Sequence, residues 1–240
     1  AAIRGICSGD VFTVFCTGAD IAKFAQSKAE FMKIYTTFSP DHMVYCKDEA
    51  VFCAADAEML AKAIGDYQKR KNGLPKIVGV EGLGYYAIGP SKKEADIAAA
   101  VFKDAIKVAV FAENFGGGKP LPDALIYAIN NWEVERYRKS VAFAGTQVKR
   151  AQNKIVLVTG SAQGFGKGIA EDLAKEGAVI AVADLNYEGA CEVAEELCKA
   201  YGAGTAIGIS ANVGDEDSVR EMIYKTVCEY GGLDALVSNA

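Results

Sequence analysis

The stretch IVLVTGSAQGFGKGIAEDLAKEGAVIAVADLN, residues 155–186, predicts a strand, a glycine-rich loop, a helix and a second strand. The apolar runs at 155–158 and 179–183 show no polar alternation, which is typical of parallel strands buried on both faces. The residues between them predict a helix over 166–176. Together these elements predict a βαβ unit of about thirty residues, which is the building block of a Rossmann-type parallel sheet.

The glycines of the loop have separate physical roles. Gly160 allows the chain to turn sharply off the first strand, and Gly164 allows backbone N–H groups to approach a pyrophosphate. Gly166 allows the helix to pack closely on the sheet. The N-terminus of the helix then presents unpaired N–H donors and the positive end of its dipole. The loop is therefore predicted to hold the phosphates of a dinucleotide.

An acidic residue ends the second strand. Asp184 follows Gly166 by eighteen residues and lies at the carboxyl end of the predicted strand. A carboxylate at this place accepts hydrogen bonds from the adenosine ribose hydroxyls and repels a 2′-phosphate. Gln163 adds no positive charge to the loop. The sequence therefore favours NAD over NADP as cofactor.

The spacing of the loop, Thr-Gly-x-x-x-Gly-x-Gly at 159–166, resembles the short-chain dehydrogenase/reductase family. ISANVGDEDSV at 209–219 is similar to the third strand and following turn of that family, with Asn212 where the family has Asp. LDALVSNA at 233–240 resembles its fourth strand and the start of its Asn-Asn-Ala-Gly motif, with Ser238 in place of the first Asn. The resemblance and the loop together predict these cofactor-binding residues: Gly160, Ser161, Gln163, Gly164, Phe165, Gly166, Asp184, Leu185, Asn212, Val213, Asn239 and Ala240.

The resemblance implies a catalytic Ser and a Tyr-x-x-x-Lys pair that follow the fourth strand, beyond Ala240. We therefore assign no catalytic residue here, and we expect the chain alone to be inactive as a dehydrogenase, to bind NAD weakly and to self-associate through residues 235–238. Tyr67 and Lys71 have the Tyr-x-x-x-Lys spacing. They precede the glycine loop, and we interpret them as a solvated helix turn; a complete reductase using this pair is a rival hypothesis.

The first part of the chain also carries a resemblance. SPDHMVYCK at 39–47, VEGLGYYAIGPSKKEADIAAAVFKDAI at 80–106 and NNWEVERYRK at 130–139 resemble the later part of the aldolase region in bifunctional class II aldolase (rhamnulose-phosphate type)/short-chain dehydrogenase proteins. This predicts an α/β aldolase-like region over 1–150, followed by the NAD-binding half of a dehydrogenase domain, a truncated Rossmann-type sheet, over 151–240.

Histidines are the zinc ligands of class II aldolases, and His42 is the single histidine of this chain. We therefore assign no metal ligand here and expect the metal-binding part upstream of Ala1. His42 lines a pocket or makes a structural hydrogen bond, and the second reading is favoured. The sequence predicts a loop over 36–42 and a strand piece at 43–46. It also predicts a hairpin turn at 81–84.

Composition excludes several classes of function. The net charge of −5 and the single short basic run, Lys69–Lys71, argue against nucleic-acid binding. Seven cysteines without Cys-x-x-Cys spacing fit free thiols in a reducing, cytoplasmic setting, and we expect Cys191 and Cys198 to be buried on one helix face. No apolar run is long enough to span a membrane.

Together the patterns predict part of an NAD-dependent oxidoreductase fused to an aldolase region. The resemblance implies a parent that acts in deoxysugar (rhamnose-type) catabolism on a small sugar-derived substrate. A homo-oligomer is a further expectation. The alternative is a non-catalytic nucleotide-binding or interaction module.

Overall fold

The structure is a computed structural model that describes residues 1–7, 11–132 and 149–240. The strands are β1 Phe12–Cys16, β2 Val51–Cys53, β3 Ile77–Val80, β4 Gly84–Gly89, β5 Ile155–Thr159, β6 Val179–Asp184, β7 Ala206–Ser210 and β8 Ala235–Val237. The described helices are α1 Ala2–Ile6, α2 Ala19–Ala25, α3 Lys28–Phe31, α4 Pro40–Cys46, α5 Ala57–Lys71, α6 Lys92–Ala112, α7 Asp123–Asn130, α8 Gly164–Lys175, α9 Tyr187–Tyr201 and α10 Glu216–Tyr230, with a 3₁₀ turn at Glu113–Phe115.

The described residues group into two compact units whose sequence ranges interleave. The first unit takes its residues from Ala1–Val14, Pro90–Lys93 and Val148–Ala240, and the second from Phe15–Gly89 and Glu94–Gln147. We call them the nucleotide unit and the aldolase-like unit. The predicted domain boundary near residue 150 stays a prediction.

The sheet of the nucleotide unit has the order β7-β6-β5-β8, and every pairing in it is parallel. Helices α8 and α9 cover one face, where Val156, Val158, Ile180 and Val182 are buried. On the other face Leu157, Ala181 and Ala183 pack with Met222 of α10. Successive strand residues therefore point into two separate cores, which explains the uninterrupted apolar runs. The predicted Rossmann-type parallel sheet is confirmed.

The second sheet has the order β1-β4-β3-β2, and its strands β2, β3 and β4 lie in the aldolase-like unit. The sheet is mixed, because β2 and β3 pair in parallel while β3 and β4 form an antiparallel hairpin. The turn at 81–84 is the predicted hairpin turn, with Gly82 at φ 73°. The rings of Phe31 and Phe52 stack with centroids 4.7 Å apart. The Tyr85 hydroxyl donates to the carbonyl of Ala99 across 2.7 Å. This unit is therefore built around aromatic side chains.

The predicted loop is confirmed over 36–39 but was wrong over 40–42, and the strand piece at 43–46 was wrong, since residues 40–46 form helix α4. Ser39 caps this helix by accepting a hydrogen bond from the backbone N–H of His42 at 3.1 Å, and Pro40 occupies the first turn. Serine followed by proline is a helix start as well as a turn signal, and the helix took precedence.

The predicted burial of two cysteines on α9 is incomplete. Cys191 and Cys198 are half-buried rather than fully buried, because they lie at the margin of the face that α9 turns to the sheet. Helix α7 is described from Asp123 to Asn130, and most of the stretch 130–139, which carried part of the aldolase resemblance, lies outside the described residues. None of the described helices has the length and apolar character needed to cross a membrane.

We expect Gly79→Ala to destabilise the aldolase-like unit. A Cβ atom at this position would lie 2.4 Å from Cε2 of Phe31 and 2.8 Å from Cδ2 of Phe52. Because the Phe31 ring is buried and stacks on that of Phe52, overpacking should cost about 1–3 kcal/mol of unfolding free energy. Urea titration of the full chain measures the cost.

Gly65→Ala on α5 is the matched control for this substitution. A Cβ atom at Gly65 meets nothing within 4 Å, so the change should stabilise the helix by about 0.5–1 kcal/mol. Equal effects of the two substitutions would contradict the packing described at Gly79.

Candidate functional site

The candidate site lies where the parallel strands of the nucleotide unit end. The chain runs from β5 through β6 to β7 on one side of the sheet, and β8 pairs with β5 on the other side. The strand order therefore reverses between β5 and β8. In open parallel sheets the crevice beyond the carboxyl ends of two such strands is where ligands bind.

The glycine loop turns off β5 into this crevice. Gly160 has φ 64° and Gly164 has φ 58°, conformations that favour glycine. A Cβ atom on Gly164 would meet nothing within 4 Å, so the backbone there is open to an approaching ligand. A Cβ atom on Gly166 would lie 2.1 Å from the carbonyl oxygen of Gly160. Helix α8 therefore approaches the loop so closely that only glycine fits at 166.

The N-terminus of α8 is suited to an anion. Gln163 is the N-cap in extended conformation, and its side chain makes no capping hydrogen bond. The first N–H groups of a helix have no partner within the helix, and they lie at the positive end of its dipole. Phe165, in the first turn, is 90% exposed. The loop thus offers backbone donors beside an exposed aromatic ring.

Ser161 is a predicted site residue whose side chain makes its hydrogen bond within the protein. Its side chain is fully buried, and its hydroxyl donates to the carbonyl of Val158 across 2.7 Å. Its backbone N–H donates to the carbonyl of Ala183 at 3.3 Å. Ser161 thereby ties the glycine loop to the ends of β5 and β6.

Asp184 connects the glycine loop to the segment after β6. Its Oδ2 accepts a hydrogen bond from the N–H of Ala162, and its Oδ1 accepts one from the N–H of Asn186, each at 2.9 Å. A carboxylate oxygen has two acceptor positions, so each oxygen keeps one for a ligand. Leu185, which follows, is 75% exposed. The carboxylate therefore lies beside the loop, oriented by two backbone donors.

The turn after β7 is held by Asn212. Its Oδ1 accepts from the N–H of Gly214 at 3.0 Å, and its own N–H donates to the Ser218 hydroxyl at 2.9 Å. Val213 is half-exposed at the tip of this turn. Asn212 supports the turn through its side-chain oxygen. The Asp that the short-chain dehydrogenase/reductase family has at this place can support a turn in the same way.

The end of β8 is fastened to the glycine loop through Thr159. The Thr159 hydroxyl accepts from the N–H groups of Asn239 at 3.0 Å and Ala240 at 3.3 Å. The Asn239 amide donates to the carbonyls of Thr159 at 3.0 Å and Gly160 at 3.1 Å. Asn239 thus supports the turn that faces the crevice. Thr159 was missing from the predicted set, although its place before Gly160 in the quoted motif could have indicated it.

The structure places all twelve predicted residues in the nucleotide unit, at the carboxyl ends of β5, β6, β7 and β8. Gly164, Phe165 and Gly166 form the first turn of α8, Asp184 is the last residue of β6, and the others lie in the segments that follow the strands. Their role in binding a cofactor stays a prediction.

Tyr67 and Lys71 lie on α5 in the aldolase-like unit. Tyr67 is a core residue rather than part of a solvated turn, and burial raises the pKa of its hydroxyl. Lys71 pairs with Asp48 at 2.6 Å. A tyrosine that exchanges protons near neutral pH needs a lowered pKa, so the surroundings of Tyr67 do not favour the rival hypothesis.

His42 is buried between aromatic side chains. Its Nδ1 accepts a hydrogen bond from the N–H of Phe38 at 3.4 Å, and its ring meets that of Phe102 edge-on. Burial lowers the pKa of His42 to about 4. These contacts fit the structural role that the sequence favoured. Among the described residues, no group of three or more His, Cys, Asp and Glu side chains could hold a metal ion.

Comparison with known families finds a separate match for each of two parts of the chain. Residues 154–240 match the short chain dehydrogenase family, and residues 62–138 match the family described as aldolase class II, second domain. Both parts of the predicted resemblance are thereby confirmed.

Individual relatives are similar over different parts of the chain. An uncharacterized oxidoreductase of Bacillus subtilis is 28% identical over 92% of this chain and 35% of its own length. A 3-oxoacyl-[acyl-carrier-protein] reductase of Staphylococcus aureus is 47% identical over 36% of this chain and 35% of its own length. The crystal structure of sorbitol-6-phosphate 2-dehydrogenase from Erwinia amylovora shares 36% identity over 36% of this chain and 33% of that chain, with a TM-score of 0.35. The chain spans about a third of the length of the curated relatives it matches.

Gly166→Ala should disrupt the glycine loop, because the new Cβ atom would collide with the backbone carbonyl of Gly160. A clash with backbone cannot be relieved by a side-chain rotation, so the cost should reach about 1–3 kcal/mol or more. Thermal unfolding of the ligand-free chain measures it.

Gly168→Ala, two residues further along α8, is the matched control. Its Cβ atom meets nothing within 4 Å, so it should leave the melting temperature unchanged or raise it. A neutral Gly166→Ala would show that the loop and helix are not in close contact.

Acid should destabilise the chain partly through His42. Its folded-state pKa of about 4 lies below its ordinary value of 6.5, so its contribution is present above pH 6.5 and is lost as the pH falls towards 4. The loss should be roughly 2–3 kcal/mol. His42→Phe should reduce the fall in unfolding free energy between pH 7 and pH 4 by this amount, measured by urea titration at each pH. An identical pH dependence in both proteins would contradict a buried neutral His42.

Proposed function

We propose that the nucleotide unit binds NAD and that the protein is an NAD-dependent oxidoreductase of the short-chain dehydrogenase type. One observation carries the proposal: the open glycine loop lies at the reversal of strand order, and the Asp184 carboxylate is hydrogen-bonded to the N–H of Ala162 within that loop. A phosphate-binding element and a ribose-binding acid are thus joined directly.

The glycine loop is assigned to the pyrophosphate. The open side of Gly164 gives a phosphate access to the backbone, and the uncapped N-terminus of α8 provides donors and a favourable dipole. We expect backbone N–H groups to supply most of this binding, since the side chain of Ser161 is buried.

Asp184 is assigned to the adenosine ribose. Each of its oxygens has one acceptor position left after binding a backbone N–H. Two ribose hydroxyls can donate to these positions, whereas a 2′-phosphate would place like charges together. This supports NAD rather than NADP. The exposed side chains of Leu185 and Val213 are assigned to the adenine ring.

The activity of the whole protein is proposed from both family matches. Bound NAD would accept hydride from a hydroxyl or aldehyde carbon of a small sugar-derived substrate, and the aldolase-like region supports a place in deoxysugar (rhamnose-type) catabolism. A net charge of −5 supports a small-molecule substrate over nucleic acid. The free cysteines of the described residues support a cytoplasmic location. We also propose that the whole protein is a homo-oligomer. Binding of NAD without any hydride transfer in the full-length protein would favour the alternative, a non-catalytic nucleotide-binding module.

The chain should bind NAD more tightly than NADP, and Asp184→Asn should reduce this preference. The substitution removes the negative charge that repels a 2′-phosphate and weakens the acceptors for the ribose hydroxyls. The ratio of the two affinities should fall about tenfold, which corresponds to roughly 1.4 kcal/mol. Isothermal titration with NAD and with NADP measures both affinities.

Asp172→Asn is the matched control, because it removes one carboxylate from an exposed position on α8. It should leave the ratio unchanged. Since Asp184 also holds two backbone N–H groups, melting of each ligand-free variant separates lost binding from lost folding. A preference for NADP in the unmodified chain would overturn the NAD assignment.

A further inference from the structure

The nucleotide unit includes residues from the start of the chain, far from the dehydrogenase match in sequence. Ala1–Val14 belongs to this unit but precedes both family matches, which cover 62–138 and 154–240. We propose that the N-terminal segment, meaning the described residues of Ala1–Val14, is a structural part of the nucleotide-binding fold and that Arg4 holds it to the start of β5 and β8.

Arg4 is the central contact of the segment. Its side chain is 5% exposed. Its Nη2 forms an ion pair with Asp234 and also donates to the carbonyl of Asn153 at 3.3 Å. Its Nη1 donates to the carbonyl of Val11 within the segment itself. One buried guanidinium therefore joins the N-terminal segment to residues just before β5 and just before β8.

Asp234 extends this connection into the sheet. Its Oδ2 accepts a hydrogen bond from the N–H of Ile155 at 2.7 Å, and its own N–H donates to the Ile155 carbonyl at 2.9 Å. The same carboxylate that binds Arg4 thus fixes the first residue of β5 against the segment that leads into β8. The opposite ends of these two strands carry the glycine loop and Asn239.

The turn after α10 packs closely against the N-terminal segment. A Cβ atom on Gly232 would lie 2.7 Å from Cδ of Arg4, and one on Gly231 would lie 2.0 Å from the Thr13 hydroxyl. The ring of Phe12 meets that of Tyr230 edge-on, with centroids 6.4 Å apart. The turn after α10 therefore leaves just the space that the N-terminal segment fills.

A second upstream piece contacts the same unit. Lys92 pairs with Glu229 of α10 at 3.1 Å, and a Cβ atom on Gly204 would lie 3.2 Å from Cγ of Lys92. Lys92 lies within the aldolase family match. The nucleotide unit thus contacts the upstream sequence at two places, which supports a fold that requires residues outside the dehydrogenase match.

Loss of the guanidinium has a clear physical consequence. Asp234 would remain partly buried without its cationic partner, and such unpaired charges are strongly destabilising. The opening of β5 and β8 should become easier, while β3 in the aldolase-like unit should not be affected. The inference does not depend on the proposed function, because it concerns the ligand-free chain.

Hydrogen exchange of the full chain, followed by mass spectrometry, tests this. In Arg4→Met we expect the amides of 155–159 and 235–237 to exchange about tenfold faster or more, and those of 77–80 to keep their rates. Arg220→Met is the matched control, because Arg220 forms an exposed ion pair with Glu216 in the same unit; it should change neither set. Unchanged exchange in β5 and β8, or equal acceleration in both units, would overturn the proposal.

Gly232→Ala provides a milder test in case Arg4→Met fails to fold. The added methyl should displace Arg4 and accelerate exchange in β5 and β8 by itself. Combined with Arg4→Ala, which removes the colliding Cδ atom, it should add less than it does alone. Effects that simply add, or no effect of Gly232→Ala, would show that Arg4 does not occupy this place.

Discussion

The candidate site depends on the contact between the glycine loop and helix α8. Gly166 lies so close to the Gly160 carbonyl that no side chain fits between them. This contact sets where α8 begins, and with it the position of the N–H donors at the helix start. The same loop is held from the other side by Asn239. The geometry of the proposed phosphate site is therefore a result of close backbone packing, with side chains acting mainly as supports.

Two carboxylates of the nucleotide unit are also held by backbone hydrogen bonds. The acidic group at the crevice, Asp184, is oriented by two backbone donors, so its direction is fixed before any ligand arrives. Preorganised groups of this kind lose little conformational entropy on binding. At the other end of the sheet, Asp234 receives both a backbone N–H and the Arg4 guanidinium. Each of these two carboxylates thus has a structural function, and of the two it is Asp184 that faces the crevice.

The two compact units do not coincide with the two family matches along the sequence. Family matches divide the chain linearly, with a gap between 138 and 154. Contacts divide it differently, because the N-terminal segment and Pro90–Lys93 group with the later residues. A linear boundary therefore does not describe which residues group with the parallel sheet.

The sequence alone determined the elements whose signals are local. The glycine loop, the buried strands β5 and β6 and the acid at 184 follow from residue types at fixed spacing, because turn geometry and two-sided burial restrict those positions strongly. Local signals failed at residues 40–46, where Ser39-Pro40 fits a turn and a helix start equally well. Only the tertiary structure decided that Tyr67 is a core residue, that Thr159 fastens β8 to the loop and that Arg4 binds Asp234. The last contact joins residues 230 positions apart, and no periodicity or motif in a single sequence encodes a pairing over that distance.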